Sequence, residues 1–565
     1  MAKKLIHLPL VVSCGLLLCH PWLHAQPDAG TLSRELQKEQ ETRKLPDTLP
    51  SFPAQQAPKD DISPALVRIS GFVLGGVTLL EETSIQSVLL PWVGKSVPFS
   101  GLQQAADAVT GFYRSQGYLV RTYLPEQELG KAIVKLVVVE GRLGSIDIRK
   151  EKGSTSLSDQ QIQHFIASRN GVGKPIRPDD LQRSITLLNA LPGAAVSSVL
   201  EPGKSEGESL LAVNVGDTPK YTGYAQLDNS GATSTGETRL TLGMNINSPL
   251  HVGDQLAFSA NASDHSSYYR AAYTLPLGYD GLRIGASVSN LPYSYQMLST
   301  VYAGTADLQG LNFIYPLLRS NERNLSVGMT FDQKRYANTV QGLELSKKKV
   351  DVSALSLSGD ALDGWLGGGL TQFTLSYSAG HLDLSGNVAD QGADQVSNGA
   401  SRQGDFSKLA WNIGRLQRLT PEDTLALTYS GQLASKNFDS SEKFLATGPD
   451  AVRAYSSSEV SGDEGSMVNV ELRHKISDDL TVSVFFDSAT LTRDKYDNVG
   501  TLNPKTGTYS GTGIGFTYGA AATLLIKGSV AWRNGSNPFA NAANGNDADG
   551  SLKDPRVWIS LLKTF

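Results

Sequence analysis

The sequence has only two cysteines, Cys14 and Cys19, and both lie near its N-terminus. They fall in a stretch typical of a secretory signal, in which two lysines precede an apolar run and Ala25 stands at the expected cleavage point. We therefore predict a signal peptide over residues 1–25 and a mature chain without thiols, which excludes disulfide bonds and thiolate metal sites. The four residues ending at Cys14 also resemble a lipoprotein cleavage site, but the apolar run continues beyond them.

The chain also has no excess of basic residues, with 50 lysines and arginines against 55 aspartates and glutamates. Phosphate binding needs clustered positive charge, so we expect no nucleic-acid partner. After the signal, no run reaches the roughly 18 apolar residues that a transmembrane helix needs. An exported, strand-rich chain of this kind is either a membrane β-barrel or a secreted protein.

Familiar catalytic motifs are missing as well. The sequence has no Gly-x-Ser-x-Gly, no His-Glu-x-x-His and no phosphate-binding loop, and its eight histidines are scattered. Ser560 and Lys563 match a Ser-x-x-Lys motif, but a spacing of three in a predicted strand puts them on opposite faces. We predict no enzymatic activity, no cofactor and no metal site.

From Tyr221 to its end, the sequence reads as a long series of alternating strands. In residues 480–487 every second side chain is apolar, and these are Leu480, Val482, Val484 and Phe486. The opposite face carries Thr481, Ser483, Phe485 and Asp487. Apolar-out, polar-in alternation over about ten residues is typical of a strand between lipid and a watery lumen. A soluble β-sandwich would alternate similarly, and the terminal aromatic Phe565 favours the membrane barrel.

We count sixteen antiparallel strands over residues 219–565. Short connections such as Thr420–Asp423 alternate with long ones such as Lys436–Ser466, as in outer-membrane barrels with short periplasmic turns and long outer loops. An even number of strands puts both ends of the barrel on the periplasmic side. A barrel of sixteen strands leaves an aqueous channel.

The residues before the barrel divide into four segments. Residues 26–45 are rich in helix formers and charged on all faces, so a helix there needs a polar setting. A disordered tail is the alternative, because isolated helices of this length are marginal. Residues 46–65 form a Pro-rich linker. Residues 66–141 and 142–218 each show the order strand, helix, helix, strand, strand, which predicts two tandem α+β modules.

This order of segments resembles the two-partner secretion transporters of the FhaC/ShlB type, in the superfamily of the barrel-assembly protein BamA. The most specific match is Val452-Arg453-Ala454-Tyr455, which resembles the Val-Arg-Gly-Tyr tip of a long loop that folds back into the barrel. Its partner motif, Phe-x-Asp-x-Gly, matches the segment from Phe485 through Asp487 to Ala489. Alanine replaces glycine in both motifs, so a positive φ at Ala454 would strain the loop tip.

The resemblance implies that the two modules are periplasmic POTRA domains and that the N-terminal helix plugs the barrel. It also implies that Arg453, on the inward loop, pairs with Asp487 on the barrel wall beside Phe485. This pairing has a physical reason, because a guanidinium can bind a carboxylate through two parallel hydrogen bonds.

The function implied by the resemblance is export of one large, β-rich secreted partner protein through a barrel in the bacterial outer membrane. The alternative is an outer-membrane assembly factor, although such a factor would normally carry more POTRA modules and no plug helix. Outer-membrane lipid and the barrel-assembly machinery are the other expected partners. Phe565 is the expected signal for that machinery.

Overall fold

The computed structural model describes residues 28–41, 45–47, 66–127, 132–150, 157–216, 218–297, 299–457, 459–498, 500, 504–541 and 544–565. The predicted signal peptide and nearly all of the predicted linker lie outside these residues. The described chain begins with helix α1 (Ala29–Glu41). In the part of the chain that the structure describes, the helices are all too short or too polar to cross a membrane.

The first α+β unit is built on a three-stranded sheet. Its elements are β1 (Leu66–Arg68), β2 (Gly71–Gly75), α2 (Glu82–Leu89), β3 (Ser96–Pro98), α3 (Phe99–Ser115), β4 (Val120–Tyr123) and β5 (Ile133–Glu140). The sheet has the order β2–β5–β4, with β2 parallel to β5. Helix α3 buries Leu102, Ala105 and Val109 against it, because residues three and four apart share one helix face. The first strand of the predicted order is divided into β1 and β2.

The second unit repeats this order. Its elements are β6 (Arg142–Lys150), α4 (Asp159–Ala167), α5 (Pro178–Asn189), β7 (Val196–Pro202) and β8 (Glu208–Val215). The sheet order β6–β8–β7, with β6 parallel to β8, matches that of the first unit. Ser158 caps α4 by accepting a hydrogen bond from the Gln161 amide at 3.2 Å, and Ser158 with Gln161 has the spacing of a capping box.

Sixteen antiparallel strands then close a barrel, which confirms the predicted count. They are β9 (Tyr221–Asp228), β10 (Arg239–Asn247), β11 (Gln255–Ala262), β12 (Ser267–Leu277), β13 (Leu282–Met297), β14 (Thr300–Arg319), β15 (Arg323–Val340), β16 (Leu343–Asp363), β17 (Gly369–Asp383), β18 (Gly404–Arg418), β19 (Asp423–Ala434), β22 (Glu464–Lys475), β23 (Leu480–Thr492), β24 (Thr506–Ala520), β25 (Leu524–Arg533) and β26 (Arg556–Thr564). The outer connection between β17 and β18 contains helix α6 (Val388–Gln395). The short strands β20 (Phe444–Leu445) and β21 (Ser461–Gly462) pair with each other and are not strands of the barrel wall.

The barrel closes where β26 pairs with β9, from Ser560 opposite Asp228 to Thr564 opposite Tyr224. Along β23, Val482, Val484 and Phe486 are exposed on the outer face, whereas Phe485 and Asp487 are buried on the inner one. This pattern is the alternation predicted from the sequence.

The second α+β unit contacts the adjacent turns of the barrel directly. Arg183 of α5 donates to the carbonyl oxygen of Pro316 at 2.7 Å, and Arg169 pairs with Asp280 at 2.9 Å. Asp280 lies in the turn after β12, and its hydrogen bond from Arg169 lowers the pKa of its carboxyl to about 2. These contacts hold the second unit at one mouth of the barrel.

Helix α1 lies inside the barrel. Its buried residues Ala29 and Leu32 pack in a cluster with barrel-wall tyrosines that include Tyr293 and Tyr336. The sequence prediction of a helix polar on all faces was therefore wrong for one face. Two apolar side chains one turn apart, Leu32 and Leu36, make that contact, and the wall offers aromatic rings where a purely polar surface was expected.

Candidate functional site in the barrel lumen

The connection between β19 and β22, residues 435–463, folds back into the lumen and is called here the inward loop. Its tip is fully enclosed, since Val452, Ala454 and Tyr455 each have 0% of their surface exposed. Val452 donates its backbone N–H to the carbonyl of Ala446 at 3.1 Å, within the same loop. The inward loop is therefore a packed element with a core of its own.

Arg453 at this tip binds Asp487 on β23 through two side-chain hydrogen bonds. Arg453 Nε lies 2.8 Å from Asp487 Oδ2, and Nη2 lies 2.9 Å from Oδ1. The backbone N–H of Arg453 donates to the same carboxylate at 3.2 Å. The structure thus brings together the two charged residues that the sequence singled out, in the bidentate geometry that suits a guanidinium.

Aromatic and polar neighbours complete the arginine site. The guanidinium carbon of Arg453 lies 3.3 Å from the ring centroid of Phe485, a cation–π contact strengthened by burial. Trp558 on β26 donates its indole N–H to the Arg453 carbonyl at 2.7 Å. Asn469 on β22 donates to Asp487 at 2.8 Å. Asp487 is completely buried, and its side-chain oxygens accept hydrogen bonds from both Arg453 and Asn469.

A second acidic residue, Glu471, connects Arg453 to the N-terminal segment. Arg453 Nη1 lies 2.7 Å from Glu471 Oε2, and Arg473 Nε lies 3.0 Å from Glu471 Oε1. Arg473 also donates to the carbonyl of Pro46 at 3.2 Å. The loop tip, the wall and the chain that follows α1 therefore share one hydrogen-bond network.

The alanines that replace glycine in the two motifs fit without strain. The φ of Ala454 is not positive, so the backbone strain that a positive φ would cause at this alanine does not arise. Ala489 is buried opposite Met467, its cross-strand partner on β22. Room for Ala454 comes from Gly511 on β24, because a Cβ added at Gly511 would lie 2.5 Å from the Ala454 methyl carbon. The glycine needed for close approach is on the wall and not in the loop.

We predict that Gly511→Val prevents the loop tip from docking, whereas Ala454→Gly has little effect. Overpacking of this kind typically costs about 1–3 kcal/mol, and here it lies beside the Arg453–Asp487 pair. Protease cleavage of the inward loop in intact cells measures docking. Equal cleavage of both variants would contradict this account.

Tyr455 anchors the loop tip on its other side. The centroids of the Tyr455 and Tyr509 rings are 4.6 Å apart and their planes are inclined by 82°. The guanidinium group of Arg533 lies over the face of the Tyr455 ring, 4.8 Å from its centroid.

A cluster of acidic residues lies nearby. Glu459, Asp547 and Asp549 bring carboxylate oxygens within 4.8 Å of one another. Arg556 pairs with Asp547 at 3.0 Å and with Asp549 at 2.7 Å. This cluster therefore ties the inward loop to the connection before β26 by ion pairs and hydrogen bonds.

Three wall lysines hold both the inward loop and the N-terminal helix. Lys334 and Lys408 pair with Glu442 of the loop at 2.7 and 2.6 Å. Lys348 pairs with Asp439 of the loop at 2.7 Å, and with Asp28, which precedes α1, at 3.1 Å. These residues, Lys334, Lys348 and Lys408, are called here the lysine triad.

The loop acids are charged despite their burial. Burial opposes ionisation of Glu442, but its two lysine neighbours lower its pKa to about 2. Burial likewise opposes ionisation of Asp439, and Lys348 lowers the pKa of that carboxyl well below its usual range. Both loop carboxyls are therefore ionised at neutral pH.

Glu35 on α1 is in a different setting. Its Oε1 is buried without a hydrogen-bond partner among the described residues. Burial raises the pKa of Glu35 to about 7, although Arg239 partly offsets this. Burial also lowers the pKa of Lys38, one helical turn further on, to about 8.

We predict that docking of α1 weakens as pH rises from 5 to 7. A carboxyl whose pKa is higher in the docked than in the free helix supports docking at low pH, and this support is lost as pH rises through 7. Channel openings in a planar bilayer should become roughly tenfold more frequent, and Glu35→Gln should remove the dependence. Lys38 titrates with the opposite sign near pH 8, so the comparison stops at pH 7. An unchanged pH profile in Glu35→Gln would refute the role of this carboxyl.

Phe565 lies apart from this site, at the seam of the barrel. Its backbone N–H donates to the carbonyl of Gly223 at 3.0 Å, and its carbonyl accepts from the Gly223 N–H at 2.7 Å. Its side chain is 71% exposed on the outer face. The last residue of the chain thus pairs with the first strand of the barrel.

Several residues of the lumen site are absent from the sequence prediction. They are Glu471 and Asn469 as partners in the network, Trp558, Gly511, and the acids and lysines that join the loop to the wall. The sequence does carry a signal for Gly511. Gly511, Gly513 and Gly515 stand at every second position of a strand, so one face of that strand has no side chains there and another segment of backbone can approach it closely. The lysine pairings have no local signal in the sequence, because the partners lie far apart along the chain. Lys348 and Asp439 are separated by 91 residues, Lys334 and Glu442 by 108, and Lys408 and Glu442 by 34.

Comparison with known proteins gives a consistent result. The chain matches the family described as haemolysin secretion/activation protein ShlB/FhaC/HecB over residues 207–518, and the POTRA domain of ShlB type over residues 67–141. It is 26% identical over 569 residues to the heme/hemopexin transporter protein HuxB of Haemophilus influenzae, an alignment that covers 96% of this chain and 95% of that protein. It is 24% identical to the outer membrane transporter CdiB of Dickeya dadantii, with 70% of each chain covered.

Solved structures show the same architecture. CdiB from Escherichia coli matches with a TM-score of 0.73 at 19% identity, covering 96% of this chain and 100% of that one. BamA from Haemophilus ducreyi matches with a TM-score of 0.51 at 13% identity, covering 88% of this chain and 100% of that one. At these identities the likeness is one of fold.

Proposed function

Because this chain belongs to the haemolysin secretion/activation family, it is an outer-membrane transporter of two-partner secretion, and we propose how its parts act. The two α+β units, of which the first matches the POTRA domain, hold one large, β-rich secreted protein in the periplasm. The barrel then passes this protein outward after the helix and the inward loop have moved. The chain acts as a translocator and not as an enzyme.

The observation that carries this proposal is that two separately attached elements fill the lumen. The inward loop contacts the wall through the pairs Lys348–Asp439 and Arg453–Asp487. Helix α1 contacts it through the pair Arg239–Glu39, and neither element is a strand of the closed barrel. A cavity of about 1110 Å³ remains beside them, lined by both elements and by the wall. Elements held by side chains can leave while the sheet stays closed.

The modules are suited to receive an extended chain. In each sheet the strand that runs parallel to its neighbour, β2 or β6, lies at one edge, and β4 or β7 lies at the other. An edge strand can pair with an extended peptide through main-chain hydrogen bonds. Arg183 and Arg169 hold the second module at the barrel mouth, so a bound segment lies close to the channel.

We keep the sequence-based division of the chain as part of the proposal. It comprises a signal peptide at 1–25, a plug helix at 26–45, a linker at 46–65, POTRA domains at 66–141 and 142–218, and the barrel at 219–565. Phe565 serves as the recognition signal for the barrel-assembly machinery, which inserts the chain among outer-membrane lipids. The pairing of Phe565 with Gly223 supports this role, because it places this aromatic residue at the seam between β26 and β9.

Secretion from a host with an outer membrane tests the proposed function. The chain is expressed together with a candidate large secreted protein, and the amount of that protein in the medium is measured. We expect secretion only when both are present. An unchanged amount without the transporter, or a general loss of other barrels when it is depleted, would contradict the proposal and favour an assembly factor.

A further inference from the structure

The lysine triad lies on three strands of the barrel wall and points into the lumen. Its side chains are only 6%, 5% and 9% exposed for Lys334, Lys348 and Lys408. An ammonium group at such burial needs a carboxylate or a comparable set of acceptors, because an unpaired buried charge is strongly destabilising. The triad is therefore a built binding site for negative charge.

The acidic partners of the triad all belong to elements that are not part of the wall. Asp439 and Glu442 come from the inward loop, and Asp28 precedes α1. Neutral oxygens of the helix and the loop also contact the triad, with Gln37 Oε1 3.3 Å from Lys334 and Ser440 Oγ 3.3 Å from Lys348. The Tyr336 ring, 5.5 Å from the Lys348 ammonium group, belongs to the wall. Departure of both elements removes the carboxylate, amide and hydroxyl contacts together and leaves this ring in place.

On this basis we propose that the lysine triad binds acidic side chains of the secreted protein while that protein passes through the barrel. This inference rests on the proposed function, which requires the helix and loop to move. Carboxylates of the passing chain take the positions that Asp439, Glu442 and Asp28 occupy at rest. In the resting transporter its own acidic residues therefore occupy the positions that acidic residues of the secreted protein occupy during transport.

The surroundings of the triad favour an extended chain over a folded ligand. The lumen next to it is lined by neutral hydroxyl groups, including Ser356, Ser376 and Thr428. Such a surface offers hydrogen bonds without charge, whereas the triad brings three buried ammonium groups to one region of the wall. The wall cations Arg239, Arg473 and Lys527 line the cavity from other strands. Wall acids nearby include Asp332, which also lines the cavity, so the attraction is local to the triad and does not extend along the whole channel.

The exchange also gives the passing chain a way to keep the channel open. As long as its carboxylates occupy the triad, Asp439 and Glu442 cannot return to their lysines, because each pair needs the same ammonium group. The resting pairs form again when the last acidic segment has passed. Binding of partner and docking of the loop are therefore mutually exclusive at this site.

A stalled secretion intermediate tests the inference. The secreted protein is fused at its C-terminus to a tightly folded domain, so that it stops in the barrel of the unmodified transporter. A water-soluble carbodiimide then joins neighbouring amines and carboxylates, and the linked peptides are identified by mass spectrometry. We expect links from the triad lysines to aspartates or glutamates of the secreted protein, and loss of their links to Asp439 and Glu442.

Lys349 is the matched control, since it follows Lys348 directly but points away from the lumen and is 42% exposed. It should form no link to the secreted protein. Links from the triad to Asp439 and Glu442 that persist in the stalled state, with the partner linked elsewhere in the lumen, would overturn the inference and leave the proposed function intact. Absence of the stalled protein from the barrel would overturn the proposed function itself.

Discussion

Arg453→Ala should reduce the secreted partner in the medium by at least about tenfold, because removing one member of a buried ion pair typically costs 3–5 kcal/mol. The substitution leaves Asp487 completely buried and removes its two hydrogen bonds from the Arg453 side chain. The bonds from the backbone N–H of residue 453 and from Asn469 remain. It also removes the cation from the face of Phe485. The loop tip then loses its fixed position beside the channel.

Arg453→Lys separates geometry from charge. A lysine keeps the positive charge but cannot form two parallel bonds to one carboxylate and a third to Glu471. We expect intermediate secretion from Arg453→Lys, with barrel levels in the membrane equal to wild type in both variants. Full secretion by Arg453→Ala would show that the docked arginine has no part in transport.

Asp487→Asn provides the other half of the comparison. If Arg453 and Asp487 act as a pair, the double variant should lose little more secretion than either single variant, because contacting residues are not additive. An additive loss would mean that each residue acts through different partners. Glu471 is the first candidate in that case, since it binds Arg453 at 2.7 Å independently of Asp487.

The regular parts of this molecule could be predicted because their signals are local. The alternation in residues 480–487 assigns Asp487 to the lumen, and a strand repeats every two residues wherever it occurs. The helix face at Leu102, Ala105 and Val109 follows equally from local spacing. The pairing of Arg453 with Asp487 was predicted from the family resemblance, together with the assignment of Asp487 to the lumen-facing side of its strand.

The contacts that hold the helix and the loop could not be predicted in this way. Asp28 meets Lys348 across 320 residues of sequence, and nothing near either residue marks it as a partner. The apolar face of α1 was missed for a related reason. Leu32 and Leu36 are too few to mark a buried face in a charged helix, and the tyrosines that receive them lie on strands far along the chain.

Glu442→Gln should open the channel at rest, and it is expected to have the second large effect. Glu442 is 1% exposed and binds both Lys334 and Lys408, so its neutralisation leaves two buried ammonium groups without their carboxylate. Breaking a buried pair typically costs about 3–5 kcal/mol, which corresponds to a shift of roughly 100-fold or more in favour of the undocked loop. Open-channel current in planar bilayers and uptake of a large hydrophilic antibiotic by cells should both increase.

Asp405→Asn is the control for this substitution. Asp405 lies three residues from Lys408, but its side chain is 92% exposed and contacts His381, so its neutralisation should leave current and uptake unchanged. Lys334→Met together with Glu442→Gln tests the cause, because removing one of the stranded ammonium groups should bring the open fraction back toward wild type. An open fraction that rises further in the double variant would mean that Lys334 holds the channel closed through other contacts, such as that with Gln37 of α1.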